Sequence, residues 1–251
     1  MKRILFACDL DNTLLYSYKH KNEGDVCVEW LDGKEQGYFT SLAIKLLREV
    51  CHRTLFVPVT TRSIEQYQRI QWPDGCMPQY AVTTNGAILL HDGDLDPFWG
   101  EAVRSAVRAA HAELISLQHG HAGDPIYRRC RMVDDTYLFL MPAEDDEVDT
   151  CIHSLQEETV LPIARSGRKI YILPYGLDKG RALEFLRLRF TTDTTLAAGD
   201  STMDIPMLCG ASQAWTVSSL SPLPAHIHIC PENSRASFFA EWLLNDILNR
   251  I

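Results

Sequence analysis

The chain has 251 residues, 46% of them hydrophobic and 23% charged, which suits one large domain or a domain with a smaller insert and excludes extended disorder. A formal charge of −9 excludes a general affinity for nucleic acid or anionic membrane, since both require a basic surface, but not a local basic pocket for one phosphate. The eight cysteines are scattered without a Cys-x-x-Cys pair, which argues against structural zinc and a disulfide framework and predicts a reducing, cytoplasmic setting. The opening MKRILFACDLDN is too briefly apolar for a secretory signal, and no stretch is long enough to span a membrane.

In chain order, Arg3 to Cys8 is a short continuous apolar run, as expected of a strand buried on both faces. Asp25 to Thr40 reads as a hairpin, with VCVEW and QGYFT flanking Asp32-Gly33. Leu42, Ile44, Leu46, Leu47 and Val50 mark a helix, followed by strand-like Thr54–Val59 and Tyr80–Thr83. From residue 91 to 174 the texture changes to helix (Asp96–His119), strands (Ile126–Met132, Thr136–Met141), helix (Glu144–Thr159) and strands (Leu161–Arg165, Lys169–Leu173). This doubled helix-strand-strand unit is predicted to be a separate α+β domain, αββαββ in order. The α/β alternation then resumes with a helix around Ala182–Leu188 and strands at Thr195–Ala198, Ala214–Val217 and Ile227–Cys230. Phe238 to Ile251 is an amphipathic helix, expected to dock on the sheet. The expected fold is therefore α/β: a doubly wound, mostly parallel, Rossmann-like core of residues 1–90 and 175–251, interrupted by the insert at 91–174.

Chemistry-bearing residues gather at the carboxyl ends of the predicted core strands, where open α/β sheets place their sites. The first strand runs into Asp9-Leu10-Asp11-Asn12-Thr13, and two carboxylates so spaced can reach one cation, although Asp-x-Asp is also a common turn composition. The second ends in Thr60-Thr61-Arg62, where a hydroxyl can donate to a phosphate oxygen or cap a helix. Lys179 stands in Gly176-Leu177-Asp178-Lys179-Gly180 just before a helix, placed to neutralise a phosphoryl group. The strand at 195–198 runs into Gly199-Asp200-Ser201-Thr202-Met203-Asp204, a second acidic cluster.

Asp-x-Asp, strand-Thr, Lys-Gly and Gly-Asp-x-x-x-Asp, in that order, resemble the four motifs of the haloacid dehalogenase (HAD) superfamily. The insert resembles that superfamily's type IIB cap, shared by sucrose- and trehalose-phosphate phosphatases and phosphomannomutases. Thr84-Asn85-Gly86-Ala87 is similar to the segment preceding that cap. The chain departs from the pattern at Thr61, where relatives usually carry glycine, and in the long 25–40 hairpin.

The resemblance implies a phosphoric monoester hydrolase acting through an aspartyl-phosphate: Asp9 as nucleophile, Asp11 as acid and then base, and Mg²⁺ as cofactor held by Asp9, Asp11 (through its backbone carbonyl) and Asp200, with Asp204 completing the metal group by orienting a metal-bound water or Lys179. Thr60, Thr61, Arg62, Asn85, Gly86 and Lys179 are the expected phosphate-binding set, with Thr60 and Lys179 also catalytic. The implied partner is a small phosphorylated metabolite, foremost a sugar phosphate, with no nucleic acid and no membrane; the protein is expected to be a monomer or homodimer. A phosphomutase and a catalytically silent phosphate binder are the alternatives. Specificity is expected in the insert, which carries Arg128, Arg129, Arg131, Arg165, Arg168 and Lys169; strand alternation puts Arg129 and Arg131 on one face, opposite Arg128. His111, His119 and His121 are read as surface histidines rather than a metal site.

Overall fold

The computed structural model of the protein describes residues 3–99, 101–220, 223–232, 235 and 237–251. It divides into two compact units, Met1–Pro97 with Asp178–Ile251, and Phe98–Leu177. No helix among the described residues is long and apolar enough to cross a membrane.

The first unit is organised by a five-stranded sheet in the order Ile227–Ile229, Gln213–Thr216, Thr194–Ala198, Ile4–Cys8, Leu55–Pro58. All four pairings are parallel. Leu5, Phe6, Ala7 and Cys8 are all fully buried, which is why that strand is apolar at every position rather than at alternate ones. One face carries Phe6, Phe56 and Trp215, packed with the helices Ser41–Arg53 and Phe238–Leu248 through Leu47, Val50, Leu243 and Ile247. The carboxy-terminal helix is thus docked on the core, as its apolar stripe predicts. Thr40 caps the helix Ser41–Arg53, its hydroxyl accepting from the Ala43 N–H at 2.9 Å.

Tyr80–Thr83 joins this sheet's edge through a parallel bridge, Val59 to Val82, and then turns back as an antiparallel ladder with Ile88–His91 and Asp94–Leu95. Residues 91–97 consequently belong to the first unit, and the long helix expected from Asp96 begins at Glu101. The predicted hairpin pairs Val26–Leu31 with Lys34–Phe39, and Tyr16–Ser17 adds a third strand. Asp32 and Gly33 both take positive φ, 51° and 73°, as a two-residue hairpin turn demands.

The second unit is a four-stranded antiparallel sheet, in the order Ile163–Ser166, Lys169–Ile172, Tyr137–Pro142, Tyr127–Val133. Leu138, Leu140, Ile170 and Ile172 pack under the helices Glu101–His121 and Val148–Glu158 through Leu114, Leu117, Val148 and Leu155.

Candidate active site

Three neighbouring strands of the five-stranded sheet deliver the acidic loops to one place. The Asp9 N–H donates to the Ala198 carbonyl at 2.9 Å, and the Val59 N–H donates to the Cys8 carbonyl at 2.8 Å. Asp9 therefore leaves the sheet between the loop that begins at Val59 and the loop that begins at Gly199. Its carboxylate is almost wholly enclosed, 6% exposed for the residue, where an unpaired charge is expensive.

The partner is Lys179. Its Nζ donates to Asp9 Oδ1 and to Asp204 Oδ1, each at 2.5 Å, and the side chain is buried. Lys179 opens the helix Lys179–Phe190, whose first turn is capped by Asp178, accepting from the Arg181 N–H at 2.8 Å. Asp204 is held from its own loop as well, its Oδ2 accepting from the Ser201 N–H and hydroxyl at 3.0 and 2.8 Å. That carboxylate can approach only because residue 199 is glycine: a Cβ there would stand 2.4 Å from the Asp204 Cβ and Cγ.

Asp9, Asp200 and Asp204 form the only group of three potential metal ligands among the described residues, with one carboxylate oxygen of each within 4.8 Å of the others. Burial drives the Asp9 carboxyl well above its ordinary range; Lys179 opposes that, and Asp204, Asp200 and Asp11 add to it. Burial, with Asp204 adding, likewise pushes Asp200 up to about 7. Burial works against the charge of Lys179, but Asp204 and Asp9 outweigh it and keep the ammonium protonated. Three carboxylates against one ammonium leave a formal charge of −2, and the donors are all hard oxygens. That is the complement of a divalent cation such as Mg²⁺.

Thr13 was part of the quoted first motif but received no role from sequence. Its hydroxyl lies 3.4 Å from both Asp9 Oδ2 and Asp200 Oδ1, tying the two acidic loops together. Thr60 is fully buried, and its Oγ1 accepts from the Arg62 N–H at 3.1 Å. The helix cap in this loop is Ser63, which forms a capping box with Gln66.

Asp11 and Arg62 form a second assembly. The Arg62 Nε and Nη2 donate to Asp11 Oδ2 and Oδ1 at 2.9 and 2.7 Å, a bidentate pair. Nη2 also donates to Glu29 Oε2 at 2.9 Å, and Nη1 to the Gln66 carbonyl at 3.2 Å. Arg62 was expected to bind phosphate; four of its N–H directions go instead to these protein oxygens. The Asp11 carboxylate, expected to act as acid and base while only its backbone carbonyl meets the metal, lies outside the three-carboxylate group and is paired with Arg62. Asn85 and Gly86 form a buried turn with left-handed backbone, φ 56° and 104°. The Asn85 N–H donates to the Thr60 carbonyl at 2.9 Å, and a Cβ at Gly86 would meet the Asp178 carbonyl at 2.8 Å. The two residues thus wedge the Thr60 loop against the start of the Lys179 helix.

Within the second unit, Arg129 and Arg131 stand opposite Met141 and Phe139, on the sheet face away from Leu138 and Leu140. The Arg131 guanidinium sits over the Phe139 ring at 5.8 Å. Arg165 and Arg168 are paired with Asp149 and Asp145 at 2.5 and 2.7 Å. His111 and His121 face Asp135 and Glu158.

The family model described as sucrose-6F-phosphate phosphohydrolase matches residues 138–239, which include Lys179, Asp200 and Asp204. Among solved structures, the sucrose-phosphatase of Synechocystis, in complex with sucrose and phosphate, is 18% identical, with a TM-score of 0.65 over 99% of this chain and 98% of that one. The carboxy-terminal domain of Candida albicans trehalose-6-phosphate phosphatase is 13% identical, with a TM-score of 0.64 over 97% and 92%. A Plasmodium vivax protein described as a HAD/COF-like hydrolase is 16% identical, with a TM-score of 0.63 over 100% and 97%. No curated protein matches the chain by sequence. The fold is shared with these solved phosphatases and the HAD/COF-like hydrolase, and the family match takes in the last two of the four motifs, at Lys179 and at Asp200 and Asp204.

Proposed function

We propose that the protein is a Mg²⁺-dependent phosphatase of a small phosphorylated metabolite, foremost a sugar phosphate, working through an aspartyl-phosphate on Asp9. The observation that carries this is the buried Asp9 carboxylate at the end of a central strand, held at 2.5 Å by Lys179 and flanked by Asp200 and Asp204. The sugar phosphate follows from what the matched family and the solved relatives are described as acting on.

A carboxylate attacks phosphorus only when it is positioned and when the negative charge of the phosphoryl group is offset. Asp9 is positioned by its strand and by Lys179, whose ammonium would also offset the charge of the phosphoryl oxygens brought to Asp9. Asp9, Asp200 and Asp204 are the side chains that would hold Mg²⁺, which when bound supplies the charge neutralisation that lets two anions approach. The Thr60 hydroxyl accepts one N–H and has its own proton to donate to a phosphoryl oxygen. Asp11, with 44% of its side chain exposed, is the carboxylate open to substrate: it gives a proton to the leaving oxygen and then takes one from the water that hydrolyses the aspartyl-phosphate.

The test is phosphate release from a panel of sugar phosphates by the wild type and Asp9→Asn, in Mg²⁺ and in EDTA. The expected result is turnover that needs Mg²⁺ and falls by at least about 10³-fold in the variant. No turnover above Asp9→Asn across the panel removes the enzyme reading.

A further inference from the structure

Glu29 lies on the hairpin strand Val26–Leu31, remote in sequence from every motif, yet its side chain is only 5% exposed. The hairpin ladder shifts register on both sides of it, and the residue across from it is Gly37. A Cβ at position 37 would stand 3.0 Å from Glu29 Oε2 and 3.3 Å from Glu29 Cβ, so the absent side chain makes room for this carboxylate. The strand is also fastened to the chain beyond Arg69, through a bridge from Glu29 to Ile70 and the Gln71 N–H donating to the Val28 carbonyl at 2.7 Å. Glu29 Oε2 accepts from Arg62 at 2.9 Å, and Oε1 accepts from the Arg69 Nε and Nη2 at 3.3 and 3.2 Å. Behind the half-exposed Asp11 there is accordingly a chain of contacts, Asp11 to Arg62 to Glu29 to Arg69.

We infer that Glu29 is a positioning residue for Asp11, acting through Arg62, so that the hairpin forms part of the proton-transfer apparatus. The inference rests on the phosphatase reading above. Buried ion pairs contribute little net stability, and what this one supplies is geometry. Arg62 Nη2 is shared between Asp11 Oδ1 and Glu29 Oε2, so the guanidinium is gripped from both sides. Without the second grip Arg62 is held only by Asp11 itself and by the Gln66 carbonyl, so the pair loses the fixed point that the hairpin gives it. The Asp11 carboxyl then loses its fixed aim at the leaving oxygen, and misplacement by about 1 Å costs roughly 10²-fold in such steps.

The readout is leaving-group dependence. An alkyl phosphate such as a sugar phosphate needs its departing oxygen protonated; 4-nitrophenyl phosphate departs without that help. kcat/KM reports the steps through the first irreversible one, which is phosphoryl transfer to Asp9. In Glu29→Gln the expected change is a fall of about tenfold or more in kcat/KM for the best sugar phosphate of the panel, within the span of a general acid, and less than about threefold for 4-nitrophenyl phosphate. Gly37→Ala, which crowds the carboxylate without removing it, should move the ratio of the two the same way by a smaller factor. Arg69→Gln breaks only the far arm and should leave the ratio unchanged. A merely structural role would lower both substrates together. An unchanged ratio in whichever of Glu29→Gln and Gly37→Ala folds overturns the inference while Asp9-dependent turnover stands; absence of that turnover in the wild type removes the phosphatase reading and the inference with it.

Discussion

Replacing Lys179 with methionine keeps most of the side chain's apolar stem and removes its charge. In the folded protein that ammonium is buried and bonds Asp9 and Asp204 at 2.5 Å each, with Asp200 in the same cluster. Removing one partner of a buried ion pair costs about 3–5 kcal/mol, because the remaining charge is left desolvated. Here two carboxylates lose one shared partner, and protonation of Asp9, already favoured by its burial, caps the loss. Urea unfolding in EDTA should therefore show a destabilisation of about 3–5 kcal/mol relative to the parent. Tryptophan fluorescence is the suitable signal, since Trp30, Trp72, Trp215 and Trp242 all lie in the unit that holds the site. The variant's cluster carries a formal −3 in place of −2, so at a given Mg²⁺ concentration Mg²⁺ should stabilise it more than the parent; at a hundredfold excess over the variant's own Kd its stabilisation is about 2.7 kcal/mol. Phosphate release should not return with that stability, because no ammonium remains to meet the phosphoryl oxygens. A loss below about 1 kcal/mol in EDTA, or equal stabilisation of variant and parent by Mg²⁺, would refute the buried charge cluster described here.

Thr13→Val removes the hydroxyl that links Asp9 to Asp200 while keeping its shape; the Mg²⁺ concentration for half-maximal phosphate release should rise about tenfold with kcat at saturating Mg²⁺ little changed, and an unaltered Mg²⁺ requirement would count against that role. For Asp246, burial favours the neutral form, but hydrogen bonds from Arg250 and Trp215 outweigh it and hold the carboxyl below its usual range. A depressed folded-state value contributes stability that is present above the unfolded value of about 3.9 and is lost as pH falls through the folded one. The stability gap between the parent and Asp246→Asn, from urea midpoints at a series of pH values, should thus be widest near neutrality and close in acid; a gap constant with pH would contradict it.

Ile4–Cys8 and Leu55–Pro58 were legible because each is an uninterrupted apolar run, a pattern that double-sided burial imposes and that turns break. The hairpin was legible through Asp32-Gly33, whose left-handed backbone few other pairs accept. Ile88–His91 was missed as a strand because its ladder partner is the same Tyr80–Thr83 segment that also borders the parallel sheet, and nothing local in the sequence reports a strand used on two sides. The acidic loops could be read because each sits at a strand end in a short motif. Thr13 could not be assigned, since a threonine four residues after an aspartate has many uses and only the fold brings Asp200 to its other side. Glu29 was invisible for a stronger reason. A glutamate in a hairpin strand is ordinarily solvated, and its burial depends on a bulged register, a glycine across the ladder and two arginines from a different loop.

Charge balance separates the two aspartates of the first motif. Asp9 faces Lys179, and Lys179 is held on its far side by Asp204. Asp11 faces Arg62, and Arg62 is held on its far side by Glu29. The arrangement repeats, a carboxylate backing each cation, but the totals differ. Asp11 and the buried Glu29 stand against Arg62 and Arg69, two charges against two, and the Glu65 that also meets Arg69 at 3.4 Å is 84% exposed and offset by solvent, so no buried excess of negative charge remains there. Asp9, Asp200 and Asp204 stand against Lys179 alone, three against one, and only there does a divalent cation improve the balance. On the proposed phosphatase reading, a cation drawn to that side would leave the Asp11 side chain outside its ligand set, paired with Arg62 in the proton-carrying role proposed for it. The chemical difference between two carboxylates two residues apart thus follows from which cation each faces, and the hairpin that supplies Glu29 completes the assembly on the Asp11 side.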